Sequence, residues 1–147
     1  MPMRLKTPMP SLEGVTEWVH GEPDLEKIEG QPVLVYFWAT SCHICHANMP
    51  KLQVWRDTYV PQGLKIISIH CPRMKSDTDI EKVKASIDEC GIVESCGIDN
   101  LHKVKKAFDN DLWPAYFLFD REGHLLRRAA GNTGLTMLEP ALKKVLA

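Results

Sequence analysis

Two cysteines three positions apart, Cys42 and Cys45, stand in the run Phe37-Trp38-Ala39-Thr40-Ser41-Cys42-His43-Ile44-Cys45-His46. Thiols at that spacing can close a small disulfide ring with little backbone movement, so the pair can cycle between dithiol and disulfide. The stretch before them is apolar and the stretch after them has helical spacing, which places Cys42 at or just before a first helical turn. There, unpaired amide donors and the positive end of the helix dipole stabilise a thiolate. Such settings lower a cysteine pKa from ~8.5 into the range ~3.5–7.5. On this reading Cys42 is the nucleophile, and Cys45, one turn deeper on the apolar stripe, is the shielded resolving thiol. His43, when protonated, favours the same thiolate and is the expected pKa-tuning residue.

Three further cysteines complete a set of five at 42, 45, 71, 90 and 96. An odd count without export signals does not fit a structural disulfide framework. Cys90 closes the stripe Ile80, Val83, Ile87 at helical spacing, and Cys96 shares a short strand with Ile98, so both read as core filler. Cys71 follows His70 at the end of a strand on the side where reactive groups gather. Core filling is again the favoured reading, with a third thiol near the dithiol as the alternative. Cys42-His43-Ile44-Cys45-His46 also fits the attachment motif of c-type haem, and Cys42, Cys45 and His46 could supply three zinc ligands. Haem attachment needs an exported chain and a pocket, whereas structural zinc wants four ligands and no second close pair exists here. The reading therefore calls for no cofactor and no metal, and keeps a metal- or haem-binding protein using those three residues as its alternative.

The elements that must hold this chemistry follow from periodicity. Val33 to Trp38 is β-branched and aromatic on both faces, as a buried central strand is. Cys45, Met49, Leu52, Trp55 and Tyr59 recur every three to four residues and mark a helix, which Pro50 should bend. Leu64 to His70 is a second strand, and strand–helix–strand implies a parallel pair. Ile80 to Cys90 is a helix ended by Gly91, Cys96 to Ile98 a short strand, and Leu101, Val104 and Phe108 another helix. Ala115 to Phe119 and Leu125 to Ala130 flank Asp120-Arg121-Glu122-Gly123-His124 as a hairpin, and Leu135, Leu138, Leu142 and Val145 form a closing amphipathic helix. Asp24 to Ile28 holds at most a helical turn. The expected fold is α/β, a mixed central sheet with helices on both faces, in one domain spanning 1–147.

Asp24 to Leu52, above all Phe37 to Cys45 followed by Met49-Pro50, with Trp113-Pro114 before a strand and Gly131 after the last one, resembles the thioredoxin superfamily. It is most similar to the TlpA/ResA-like thiol–disulfide oxidoreductases, and the likeness extends more weakly over nearly the whole chain. The helix–strand segment from about Asp77 to Ile98 resembles the insertion that separates these proteins from plain thioredoxin. The resemblance implies a thioredoxin-like fold and reduction of protein disulfides: Cys42 attacks the partner's disulfide, and Cys45 then releases the reduced partner. It also implies a cis peptide bond at Trp113-Pro114, both residues binding the substrate, whose extended chain pairs there as an added strand. Three departures stand out. Ser41 replaces the usual tryptophan, Ile44 stands where proline is common, and Tyr36 occupies the position of thioredoxin's buried aspartate. The proton acceptor for Cys45 is then open among His43, His46, His70 and water. A peroxiredoxin would need a single peroxidatic cysteine after a proline–threonine pattern, which is absent.

Composition bounds the rest. The 147 residues are 44% hydrophobic and 25% charged, with 18 Lys+Arg against 19 Asp+Glu. A chain of this length buries roughly 68–70% of its unfolded surface as one domain. The near-neutral balance argues against nucleic acid or an anionic membrane as main partner. The longest apolar run, Val33 to Ala39, is seven residues, against the ~20 a transmembrane helix needs. Met1 to Pro8 is basic without an apolar stretch behind it, so no signal peptide is expected and the reading is cytoplasmic. The expected partners are disulfide-containing proteins and an upstream thiol or thioredoxin-reductase-like electron donor. Thiolate stabilisation by His43 should place the potential between ~-270 mV for thioredoxin and ~-120 mV for a strong oxidant.

Overall fold

The strand that leads into the dithiol is the centre of the molecule. Val33 to Trp38 is buried along its whole length, because side chains on both of its faces meet apolar neighbours. The computed structural model describes residues 2–147; Met1, the first residue of the expected domain, lies outside them. Along the chain run β1 (Glu17–Val19), α1 (Leu25–Ile28), β2 (Val33–Trp38), α2 (His43–Tyr59), β3 (Lys65–His70) and α3 (Ile80–Glu89). Then follow β4 (Cys96–Ile98), α4 (Lys103–Ala107), β5 (Ala115–Phe119), β6 (Leu125–Ala130) and α5 (Gly134–Leu146).

The six strands form one mixed sheet in the order β1-β4-β3-β2-β5-β6. β2 pairs parallel with β3 and antiparallel with β5, while β4 is parallel to β3 and β1 antiparallel to β4. Alternation along β2 divides the core. Leu34, Tyr36 and Trp38 pack with residues of α2, α3 and α5 on one face, and Val33, Val35 and Phe37 pack with Val104 and Phe108 on the other. The expected sheet covered on both faces is the one observed.

Two details depart from the periodicity reading. β1 was not expected. α4 begins at Lys103 rather than Leu101, which is exposed. His102 breaks the helical path at φ 59, and the buried Asp99 carboxylate accepts from the Val104 and Lys105 amides at 3.0 and 2.8 Å, capping the first turn. Pro50 faces solvent, and α2 continues through it. The N-terminal segment lies along the start of the outer strand β6: Lys6 N–H donates to the Leu125 carbonyl, and Leu125 N–H to that of Thr7. Beyond this strap β6 carries Arg127 and Arg128, both exposed.

Candidate active site

β2 delivers its chain to the start of α2, and there Cys42 and Cys45 are joined in a disulfide with Cα atoms 5.2 Å apart. Cys42 is the N-cap of α2, and its sulfur accepts the Cys45 N–H at 3.1 Å. Both cysteines are almost fully buried, while His43 and Ile44 between them are exposed. His43 makes no side-chain hydrogen bond among the described residues. Trp38 lies in the same core cluster as both sulfurs, and its Nε1 donates to Ser68 Oγ at 2.8 Å.

The approach to Cys42 is held by side chains that local sequence reasoning did not connect. Thr40 N–H donates to His70 Nε2 at 3.0 Å, and His46 Nε2 lies 2.8 Å from the Thr40 carbonyl. A carbonyl only accepts, so His46 carries its proton on Nε2. Its Nδ1 is 3.3 Å from Cys90 Sγ. His70 is fully buried, and burial above all pushes it down to about 4. With Nε2 accepting from Thr40, its Nδ1 has no partner. Two of the three histidines named as proton acceptors for Cys45, His46 and His70, are thus engaged with Thr40. Tyr36 is engaged too: its hydroxyl donates to Glu94 at 2.6 Å, and burial followed by the Glu94 charge raises its pKa.

Ser41 has a partner that explains its departure from tryptophan. Asp77, buried in the 3-10 turn Lys75–Thr78, takes the Ser41 N–H on Oδ1 at 2.9 Å and the Ser41 hydroxyl on Oδ2 at 2.7 Å. The same Oδ2 accepts from the Arg73 and Met74 amides at 2.9 and 3.2 Å. Burial works against the carboxylate, but these hydrogen bonds outweigh it and hold Asp77 below the ordinary carboxylate range. A fixed negative charge therefore sits one residue from Cys42.

Trp113–Pro114 is a cis peptide bond. The Pro114 carbonyl accepts from Gly131 N–H at 2.9 Å, and Gly131, at φ 79, takes the left-handed turn that glycine permits at little cost. Trp113 is half-buried, its Nε1 donating to the Cys71 carbonyl at 2.9 Å, with Lys105 Nζ 5.8 Å from the ring centroid. Cys71 and Cys96 are fully buried and free. Burial raises both thiols, Cys96 to about 11. Cys90 packs against the core from its edge: it is half-buried at the C-cap of α3, with its sulfur in hydrogen-bond contact with His46. The haem and metal alternative is not favoured, since the two sulfurs are bonded to each other and His46 is occupied at both nitrogens. Among the described residues, no group of three or more His, Cys, Asp or Glu side chains is placed to hold a metal ion.

A strand, a Cys-x-x-Cys disulfide at a helix start and a cis proline leading into the neighbouring antiparallel strand define a thioredoxin-fold dithiol–disulfide protein. The chain belongs to the AhpC/TSA family, whose sequence profile matches residues 6–128. It is similar to thiol–disulfide oxidoreductase YkuV of Bacillus subtilis (strain 168), at 39% identity over 146 residues, 99% of this chain and 98% of that one. Thiol–disulfide oxidoreductase ResA of Bacillus thuringiensis (strain Al Hakam) is 28% identical over 131 residues, covering 89% and 73% of the two chains. The solution structure of a thioredoxin-like protein in its oxidised form superposes with a TM-score of 0.88 at 38% identity, over 98% of this chain and 97% of that one. This protein is a thiol–disulfide oxidoreductase.

Proposed function

We propose that Cys42 is the attacking thiol and Cys45 the resolving one, in a cycle that reduces disulfides of partner proteins. The observation that carries the assignment is the N-cap position of Cys42, whose sulfur already accepts the Cys45 N–H. In the reduced protein that donor and the helix dipole favour a thiolate at Cys42 over one at Cys45. The thiolate attacks one sulfur of the partner's disulfide, giving a mixed disulfide and a partner thiolate. Cys45 then attacks Cys42, restoring the 42–45 bridge and leaving the partner reduced by two electrons. The partner chain lies as an added strand against Trp113 and Pro114. Exposed Ile44, Met74 and Leu112, on segments flanking these residues, supply apolar contact. His43 favours the Cys42 thiolate from the exposed first turn.

Electrons return to the dithiol from an upstream thiol or a thioredoxin-reductase-like donor. The setting is the cytoplasm, in support of cell redox homeostasis; three cysteines that remain free fit a reducing compartment. No helix among the described residues is long and apolar enough to cross a membrane. Residues 1–147 act as one thioredoxin-like unit.

Trapping tests the assignment. Cys45→Ser should accumulate mixed disulfides on Cys42, recoverable from cells and mapped by mass spectrometry, and Cys42→Ser should accumulate none. Adducts that map to another cysteine in the Cys45→Ser protein would overturn it.

A further inference from the structure

His46 presents a base to a second thiol. Its Nε2–H is committed to the Thr40 carbonyl at 2.8 Å, so the neutral ring offers a bare Nδ1, and Cys90 Sγ lies 3.3 Å from it. Nucleophile, base and orienting acceptor thus stand in hydrogen-bond sequence, the arrangement that activates a thiol. The other two free cysteines are fully buried, Cys71 against the Asp99 carboxylate and Cys96 against Ser68 and Trp38, whereas Cys90 is only half-buried. We propose that Cys90, with His46 as its base, is a second nucleophilic thiol that exchanges with low-molecular-weight disulfides, separately from the 42–45 couple.

In this exchange Cys90 Sγ attacks one sulfur of R–S–S–R. The Cys90–S–S–R bond forms as the R–S–S–R bond breaks, and the thiol proton passes to His46 Nδ1. The imidazolium returns that proton to the departing thiolate, so RSH leaves, reduced, and Cys90 is oxidised to a mixed disulfide. The charges around the pair make the base necessary. Burial, then the Glu89 carboxylate, raise the Cys90 thiol, and Arg56 opposes them only in part. On the His46 side stand the Trp38 ring, edge-on with its centroid 6.3 Å from that of His46, and His70, on which the His46 charge acts. Cys90 therefore rests as a thiol and reacts by handing its proton over.

The test uses the full chain with the 42–45 bridge closed and 2-hydroxyethyl disulfide as probe, followed by intact mass and peptide mapping. One adduct is expected, on Cys90. An unassisted thiol below its pKa reacts about tenfold faster per pH unit; a thiol that hands its proton to His46 within the pair does not depend on hydroxide, so the rate should change less than about threefold from pH 7 to 8. His46→Gln keeps an N–H for Thr40 and removes the base. It should slow the reaction about tenfold at pH 7.5 and restore the steep pH dependence. Cys90→Ser should give no adduct while its 42–45 bridge still opens and closes. Three results would overturn the inference: no adduct, a tenfold rise per pH unit in the unaltered protein, or Cys90 bridged to Cys42 or Cys45. If His46→Gln does not fold, the pH profile of the unaltered protein decides alone. Trapping on Cys42 is a separate readout, so failure here leaves the dithiol assignment standing.

Discussion

A histidine beside a dithiol invites a proton-transfer role, yet His70 serves as a fixed acceptor for the Thr40 amide. Its folded pKa, about 4, lies below the ~6.5 of an exposed imidazole, so between those values the unfolded chain binds the extra proton. Its contribution to stability is complete above pH 6.5 and is lost as pH falls toward 4, by up to about 3 kcal/mol. His70→Asn, which keeps an acceptor for Thr40, should flatten the stability profile over that window in urea titrations. Asp77 belongs to the same scale. Asp77→Asn leaves Ser41 Oγ and the Arg73 and Met74 amides facing an NH2 group, and should cost about 1–3 kcal/mol. It also removes a negative charge near Cys42, so the alkylation pKa of Cys42 should fall. A variant that only loses stability would show that the charge does not reach the sulfur.

The elements are tied together by groups that could not be read locally. Arg56 of α2 meets Glu94, ahead of β4, through Nε at 2.5 Å and Nη2 at 2.9 Å, with Tyr36 of β2 on the same carboxylate. Glu94→Ala strands a buried guanidinium and should cost about 3–5 kcal/mol in denaturant unfolding. α5 approaches β5 closely: a Cβ on Gly134 would lie 2.6 Å from Tyr116 Cδ2. Gly134→Val should therefore destabilise by about 1–3 kcal/mol, measured by thermal melting. The major strands and helices were legible because their apolar periods are long and each lies within one stretch of chain. The Cys42–Cys45 pair was legible as a local pattern, whereas the cis bond at Trp113-Pro114 was legible only through the family resemblance. β1 was not, being three residues whose partner includes Gly97, where a Cβ would meet Trp18 and Val15 at 3.0 Å. Nor were Asp77 on Ser41 or Cys90 on His46, whose members lie 36 and 44 residues apart and meet only once the sheet is formed.

At the scale of the molecule, one sheet with a core on each face should unfold as a unit. Circular dichroism and Trp fluorescence should report one coincident transition, and separate transitions would divide the 1–147 unit. The rims of that sheet bear on what the enzyme meets in use. β1 is three residues long, and β6 is strapped by the N-terminal segment and carries two arginines, so neither rim offers a long bare ladder of amides and carbonyls. A catalyst that takes a partner's extended chain into its site, as proposed above, is thereby kept from zipping that chain onto its own flanks, and release after each turnover leaves no nucleus for an aggregate.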